Sequence, residues 1–405
     1  MYFEYKHQHF KEYFKLSCYL LFFFLEINSI NSQSNVIVGA ERTDLYLEGI
    51  LNKRVGLVAN QTSKIKKEHL VDVLLNEGVN VVKVFSPEHG FRGKSDAGEK
   101  VRDEIDLQTG LPIYSLYGKT KRKPSKEILK DIDVIIFDLQ DVGVRFYTYI
   151  SSLHYVMEAC AENNVNLIIL DRPNPNGFYI DGPILDLEFR SFVGMHPVPV
   201  VHGMTIGEYA NMINGEKWLN NMIQCSLNVI PCLNYDHSTR YILPIPPSPN
   251  LPNMRSIYLY PSLCFFEGTN VSIGRGTDFP FQVFGAPYFN KTQFSFTPQA
   301  TYGAKNPKHK QKTCYGLDLR ILPIDSLQNI NKLNLKWLVN SYKLSKESEV
   351  FFNKNNFFNL LAGSDKLMNL VKGGANASHI YDTYQKDLRD YKIIRKRYLI
   401  YKDFE

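Results

Sequence analysis

The sequence predicts an α/β protein, a mainly parallel sheet covered by helices on both faces and followed by a second, smaller α+β domain. Three observations carry this. From about Val36 to Leu170, short apolar runs alternate with stretches of helical spacing, the order of a strand-helix-strand unit. Four such runs end in polar residues: Val55–Asn60, the run leading into Ser86-Pro-Glu-His-Gly-Phe-Arg-Gly93, Asp133–Gly143 and Asn166–Asn174. The stretch Leu243–Pro252 then holds five prolines in ten residues, a stiff crossing segment that places a domain boundary near 248.

The chain has 405 residues, more than a single core usually serves, with 44% hydrophobic and 22% charged residues. Residues 1–34 are set apart from the fold. Lys6, Lys11 and Lys15 precede the apolar run Leu16–Leu25, and small residues follow, the pattern of a secretory signal peptide. The run is short for a membrane span, so no stable membrane insertion is expected once it is removed, and the protein is expected to be exported, periplasmic or secreted. Residues 35–248 form the sheet domain and 249–405 the smaller one.

Each element has its own signal. Lys64–Glu77 carries Leu70, Val71, Leu74 and Leu75 on one side and predicts a helix. Ser125 caps a short helix after Pro124, and Ile150–Glu162 keeps helical spacing through Leu153, Val156, Met157, Cys160 and Ala161. Arg172–Pro199, rich in Pro, Gly and Asn, reads as a long ordered loop, and a helix follows around Thr205–Asn214. The net charge of +6 is spread along the chain, with clusters only at Lys305–Lys312 and Arg395–Arg397, which argues against a nucleic-acid partner. Of six cysteines, export removes Cys18, leaving an odd number. Cys160 reads as a buried small apolar residue, and Cys225 and Cys232 as a pair able to bridge.

Parallel strands direct their carboxyl ends to one crevice, so polar residues at four such ends define a candidate site. Glu88, at a sharp strand exit, reads as a shielded carboxyl able to act as a general acid. Glu267 lies between apolar residues and a turn, with Arg275 as its natural partner. These two glutamates are the candidate catalytic residues. Asn60, His89, Arg92, Asp138, Asp141, Arg145, Tyr149, Asp171, His202 and Arg275 make the candidate substrate-binding set. Arg145 is an equally good ion-pair partner for Asp138 or Asp141. His196 and His202 have no zinc-binding spacing, and neither a nucleophile elbow, a P-loop nor a dinucleotide fingerprint occurs, so neither a metal nor a cofactor is expected.

Several strings together resemble the exo-β-N-acetylmuramidase family: Gly-Leu-Val-Ala-Asn-Gln-Thr (56–62), Phe-Ser-Pro-Glu-His-Gly-Phe-Arg-Gly (85–93), Pro-Ile-Tyr-Ser-Leu-Tyr-Gly (112–118), Phe-Asp-Leu-Gln-Asp-Val-Gly-Val-Arg-Phe-Tyr-Thr-Tyr (137–149) and Asp-Arg-Pro-Asn-Pro (171–175). The strings at 191–205, 247–252, 266–270, 274–277 and 395–401 agree. The resemblance implies a Rossmann-like amino-terminal domain, a smaller carboxy-terminal domain, and a cleft between them. It also implies a glycoside hydrolase that removes N-acetylmuramic acid from the non-reducing end of peptidoglycan fragments, with Glu88 as the catalytic glutamate and Glu267 as a second carboxylate. Peptidoglycan-derived disaccharides or short glycans are then the partners. The basic insertion Lys305–Thr313 looks local to this chain. A non-catalytic murein-fragment binding or sensing protein is the alternative, and metal-dependent hydrolysis through Glu88, His89, Asp138 and Asp141 a third reading.

Overall fold

Side by side, the apolar runs form the centre of a parallel sheet. In this computed structural model, which describes residues 35–88, 90–91, 103–118, 122–290, 293–345 and 350–405, the strands are β1 (Arg54–Ala59), β2 (Lys64–Ile65), β3 (Glu68–His69), β4 (Asn80–Ser86), β5 (Glu104–Ile105), β6 (Pro112–Ser115), β7 (Val134–Asp138), β8 (Asn166–Leu170), β9 (Leu227–Ile230), β10 (Val283–Ala286), β11 (Ser295–Phe296) and β12 (Cys314–Asp318). Among these residues a seven-stranded sheet runs in the order β5-β6-β4-β1-β7-β8-β9, parallel except for the short edge strand β5. A second, three-stranded antiparallel sheet, β10-β12-β11, lies in the carboxy-terminal part. Residues 1–34, read from the sequence as a signal peptide, lie outside the described residues.

The helices are α1 (Leu47–Ile50), α2 (Leu70–Asn76), α3 (Lys126–Leu129), α4 (Tyr149–Asn163), α5 (Ile206–Gly215), α6 (Met254–Leu263), α7 (Ile324–Gln328), α8 (Leu335–Leu344), α9 (Phe357–Ala362), α10 (Lys366–Lys372) and α11 (Ala377–Arg395). Their starts are chemically marked. Ser125 accepts the Ile128 N–H at the head of α3, and Thr205 with Glu208 forms a reciprocal capping box at the head of α5. Helix α4 is buried from Tyr149 to Cys160 except at Tyr155, and ends where Asn164 turns into the left-handed region. Each buried Leu153, Val156 or Met157 side chain contributes roughly 1.5–3 kcal/mol of transfer free energy.

The helix expected over Lys64–Glu77 begins only at Leu70. Lys64–His69 instead folds into the β2-β3 hairpin, turning through Lys66 at φ 53°, and His69 Nδ1 caps α2 at Val71 N (3.3 Å). The Lys66-Lys67 turn therefore overrides the helical preference of its lysines, which propensity alone does not impose. Cys225 and Cys232 are free thiols rather than a bridge. The Cys225 thiol donates to Ser226 O (3.6 Å), and the Cys232 thiol points to Asp171 O (3.2 Å).

Apolar side chains fill both faces of the large sheet. On one face, Val55, Leu57, Leu70, Val71, Ile136 and Ile230 pack together; on the other, Val58, Phe85 and Phe137 join a cluster continuing through Phe265, Phe281 and Leu338 to Tyr391. One polar group stitches this second layer. Arg145 is fully buried, and its guanidinium donates to the carbonyls of Pro183 and Val198 (both 2.7 Å), Leu361 (2.9 Å) and Ala362 (2.8 Å). The long loop after β8 is thus fastened to the end of α9. Burial draws the Arg145 pKa down to about 9. Replacing Arg145 with Met leaves four buried carbonyls without their donor, so the unfolding free energy should fall by about 3 kcal/mol or more in urea titration; an unchanged midpoint contradicts this role.

Candidate functional site

A groove of about 820 Å³ opens where the carboxyl ends of β4 and β6 meet the carboxy-terminal elements. Its polar wall starts from β4. After Ser86 and Pro87 the chain turns sharply, with Gly90 N bonded to Pro87 O (3.2 Å) and Gly90 at φ 78°, a conformation that glycine adopts without strain. This exit leaves Glu88 half-buried on the groove wall, where Thr148 Oγ1 donates to its Oε2 (3.2 Å). Tyr117, just beyond β6, bonds the same carboxyl; its phenol pKa is raised, first by burial and then by the charge of Glu88.

The opposing wall comes from the turn after α6. Residues Cys264–Gly268 form a 3₁₀ turn presenting Glu267, and a Cβ at Gly268 would stand 2.4 Å from the Phe358 backbone, so only glycine lets this turn approach α9. Arg275 Nε donates to Glu267 Oε1 at 2.6 Å, both side chains being 25% exposed, and the guanidinium lies 5.1 Å from the Phe281 ring centre. Burial works against the Arg275 charge, but the Glu267 carboxylate outweighs it and raises the pKa. Phe146, Phe192, Tyr260 and Phe357 supply apolar faces. The rim includes Gly303–Lys308, the start of the basic insertion.

Of the predicted residues, the groove brings together Glu88, Glu267 and Arg275. His89 and Arg92 lie outside the described residues. The others are buried in the framework behind the groove. Asp138 pairs with Arg172 (2.5 and 2.8 Å), not with Arg145. Asn60 Nδ2 donates to Tyr149 Oη (2.8 Å), and its Oδ1 accepts from Thr62 N and Oγ1. Asp171 accepts from Thr205 Oγ1 (2.7 Å), Gly207 N (2.9 Å) and Tyr401 Oη (2.6 Å), joining β8 to α5 and the chain's end; burial lifts its pKa to about 6. Asp141 Oδ2 accepts from Gly143 N (2.7 Å) and lies 3.9 Å from His202 Nε2, whose ring burial draws down to a pKa of about 3. Among the described residues, no three His, Cys, Asp or Glu side chains gather as a metal donor set.

The residue list drawn from strand ends missed Tyr117, Thr148, Phe192, Tyr260 and Lys308. Tyr117, Thr148 and Phe192 fall within strings that carry the family resemblance, which was the available signal; Lys308 sits in the stretch read as local.

Two glutamates face a groove with aromatic side chains, one beside hydroxyl donors and one on an arginine, side chains that carbohydrate-cleaving enzymes commonly combine. Comparison with known sequences makes this specific. The profile described as exo-beta-N-acetylmuramidase NamZ, N-terminal, matches residues 55–255, and its C-terminal counterpart matches 258–401. The chain belongs to this family of glycoside hydrolases. It is 38% identical over 374 residues to the peptidoglycan beta-N-acetylmuramidase NamZ of Bacillus subtilis, covering 88% of this chain and 89% of that one. Two crystal structures of DUF1343 family proteins from Bacteroides fragilis are similar: one with TM-score 0.84 at 48% identity, over 91% of this chain and 100% of the other, the second with TM-score 0.77 at 30% identity, over 91% and 99%.

Asp141 gives a pH prediction. Burial raises its pKa to about 7, against the backbone N–H bonds of Gly143 and Val142. A carboxyl whose folded value exceeds its unfolded value near 4 binds its proton more tightly when folded, so stability falls as pH rises from about 4 to about 7. Asp141→Asn should flatten this part of the profile in urea unfolding near pH 5 and near pH 8; an unaltered slope contradicts the assignment.

Proposed function

We propose that this protein is an exo-acting hydrolase that releases N-acetylmuramic acid from the non-reducing end of peptidoglycan fragments, using Glu88 and Glu267 as its carboxylate pair. The observation that carries the reading is the placement of both carboxylates on one groove, from elements far apart in the sequence. Glycoside cleavage asks one carboxyl to protonate the departing oxygen and the other to act as nucleophile or to activate water, stabilising a cationic sugar ring. Glu88, next to the hydroxyls of Thr148 and Tyr117, is read as the proton donor. Glu267, held in one orientation by Arg275, suits the second role.

Muramic acid carries a lactyl carboxylate, and a guanidinium matches it geometrically. Arg145 is committed to four backbone carbonyls, whereas Arg275 stands in the groove beside Glu267, which favours Arg275 as the recognition element. Phe192 and Tyr260 offer faces for sugar rings. Export through the amino-terminal segment would bring the enzyme to wall fragments and serve cell-wall recycling.

The test is hydrolysis of a muramic-acid-terminated disaccharide or a chromogenic muramide by the mature protein. Glu88→Gln should lose about a thousandfold or more in kcat while its thermal transition stays in place. Tyr117→Phe, which removes one donor from Glu88, should lose about tenfold. Binding of the disaccharide without product, in the native protein, would replace this reading with that of a murein-fragment binding protein.

A further inference from the structure

We infer that Lys308 is the positioning residue for Glu267: its ammonium, carried by the basic stretch after Gly303, clamps the turn that presents this carboxylate to the groove. The inference rests on the carboxylate-pair reading above. The stretch is anchored where Asn250 Nδ2 donates to Gly303 O (2.8 Å). From there Lys308 turns inward, and its Nζ donates to the carbonyls of Phe266 (3.0 Å), Thr269 and Val271 (3.2 Å). An ammonium has three N–H bonds, and three carbonyls take all of them. The next side chain continues the pattern, with His309 Nε2 at 2.8 Å from Asn270 O. Two consecutive residues of the basic stretch therefore hold the backbone on both sides of Glu267-Gly268.

This arrangement answers a need of the turn itself. A 3₁₀ turn is closed at its end by few backbone bonds, and the Lys308 ammonium adds its charge to Phe266 O, which Thr269 N also reaches (3.0 Å), and ties it to the carbonyls just beyond the turn. Asn353 holds the turn from another side, its N–H on Gly268 O (2.9 Å) and its Nδ2 on Glu267 O (3.1 Å). Glu267 projects from backbone held in this way, and Arg275 then fixes its carboxylate at 2.6 Å. Displacement of a reacting group by about 1 Å can cost on the order of a hundredfold in rate, so fastening the turn bears directly on turnover.

The clamp also has a pH signature. Burial lowers the Lys308 pKa to about 8, opposed by the Glu267 charge and reinforced by that of Arg275; on its own stretch, His309 and Lys312 are the neighbouring titratable groups. Below this value three N–H bonds meet three carbonyls. Above it a neutral amine turns a lone pair toward one of them, and the clamp loosens.

The experiment compares Lys308→Met, Lys308→Arg and, as a control, Lys310→Met at an exposed neighbour. It reads steady-state kinetics on a muramide and hydrogen exchange of the 264–272 peptide, corrected for intrinsic rates. Lys308→Met should lower kcat roughly 10- to 100-fold with KM within about twofold, and should deprotect that peptide. In the native protein the peptide should lose protection between about pH 7 and about pH 9.5, whereas Lys308→Arg, whose charge does not titrate in this range, should keep the same protection at both. Lys310→Met should match the native protein. Lys308→Met with native kcat and native protection overturns the inference. If Lys308→Met does not fold, a native peptide equally protected at both pH values overturns it instead. A native protein that cleaves no muramide ends the carboxylate-pair reading, and the exchange measurement alone then decides whether Lys308 clamps the turn.

Discussion

Parallel strands impose a polarity on everything attached to them. Because β4, β1, β7 and β8 run the same way, the chain leaves each at the same edge of the sheet, and the segments after β4, β6 and β7 deliver Glu88, Tyr117 and Thr148 to one wall of a groove. The opposite wall carries a carboxylate from outside the sheet. The turn after α6 provides it, and Gly268 allows that turn to lie against α9. Arg145, a cation bonded to carbonyls rather than to a carboxylate, fastens the end of α9 to the loop after β8 and so keeps the two walls in register.

The two glutamates differ in their company, and the difference is chemically useful. Glu88 lies beside the hydroxyls of Thr148 and Tyr117, while Glu267 is oriented by the Arg275 guanidinium. In the proposed reading, environment rather than residue type divides the roles of acid and of nucleophile or base.

Much of this was legible in the sequence. The apolar runs at 55–60, before 86, at 133–138 and at 166–170 became adjacent strands, and Glu88, Glu267 and Arg275 were identifiable because charged residues beside apolar runs and tight turns require a partner or a task. Asp138, Asn60 and Asp171 show where such reasoning stops. A strand-end position determines which edge of the sheet a residue reaches, but its depth depends on partners distant in the sequence, Arg172 for Asp138, Tyr149 for Asn60 and Tyr401 for Asp171. Lys308 was illegible for the same reason. In the sequence it is one lysine in a basic stretch, and its three carbonyl partners lie about forty residues earlier on a turn that only the folded chain brings near.

The central claim, that a terminal muramic acid lies between Glu88 and Glu267, is tested most directly by a crystal structure of the Glu88→Gln protein with a muramic-acid-terminated disaccharide. The account predicts the non-reducing sugar in the groove beside Tyr260 and Phe192, its glycosidic oxygen within hydrogen-bond reach of the residue 88 side chain and its ring next to Glu267. A disaccharide seated elsewhere, or one that turns its glycosidic bond away from both side chains, would contradict it.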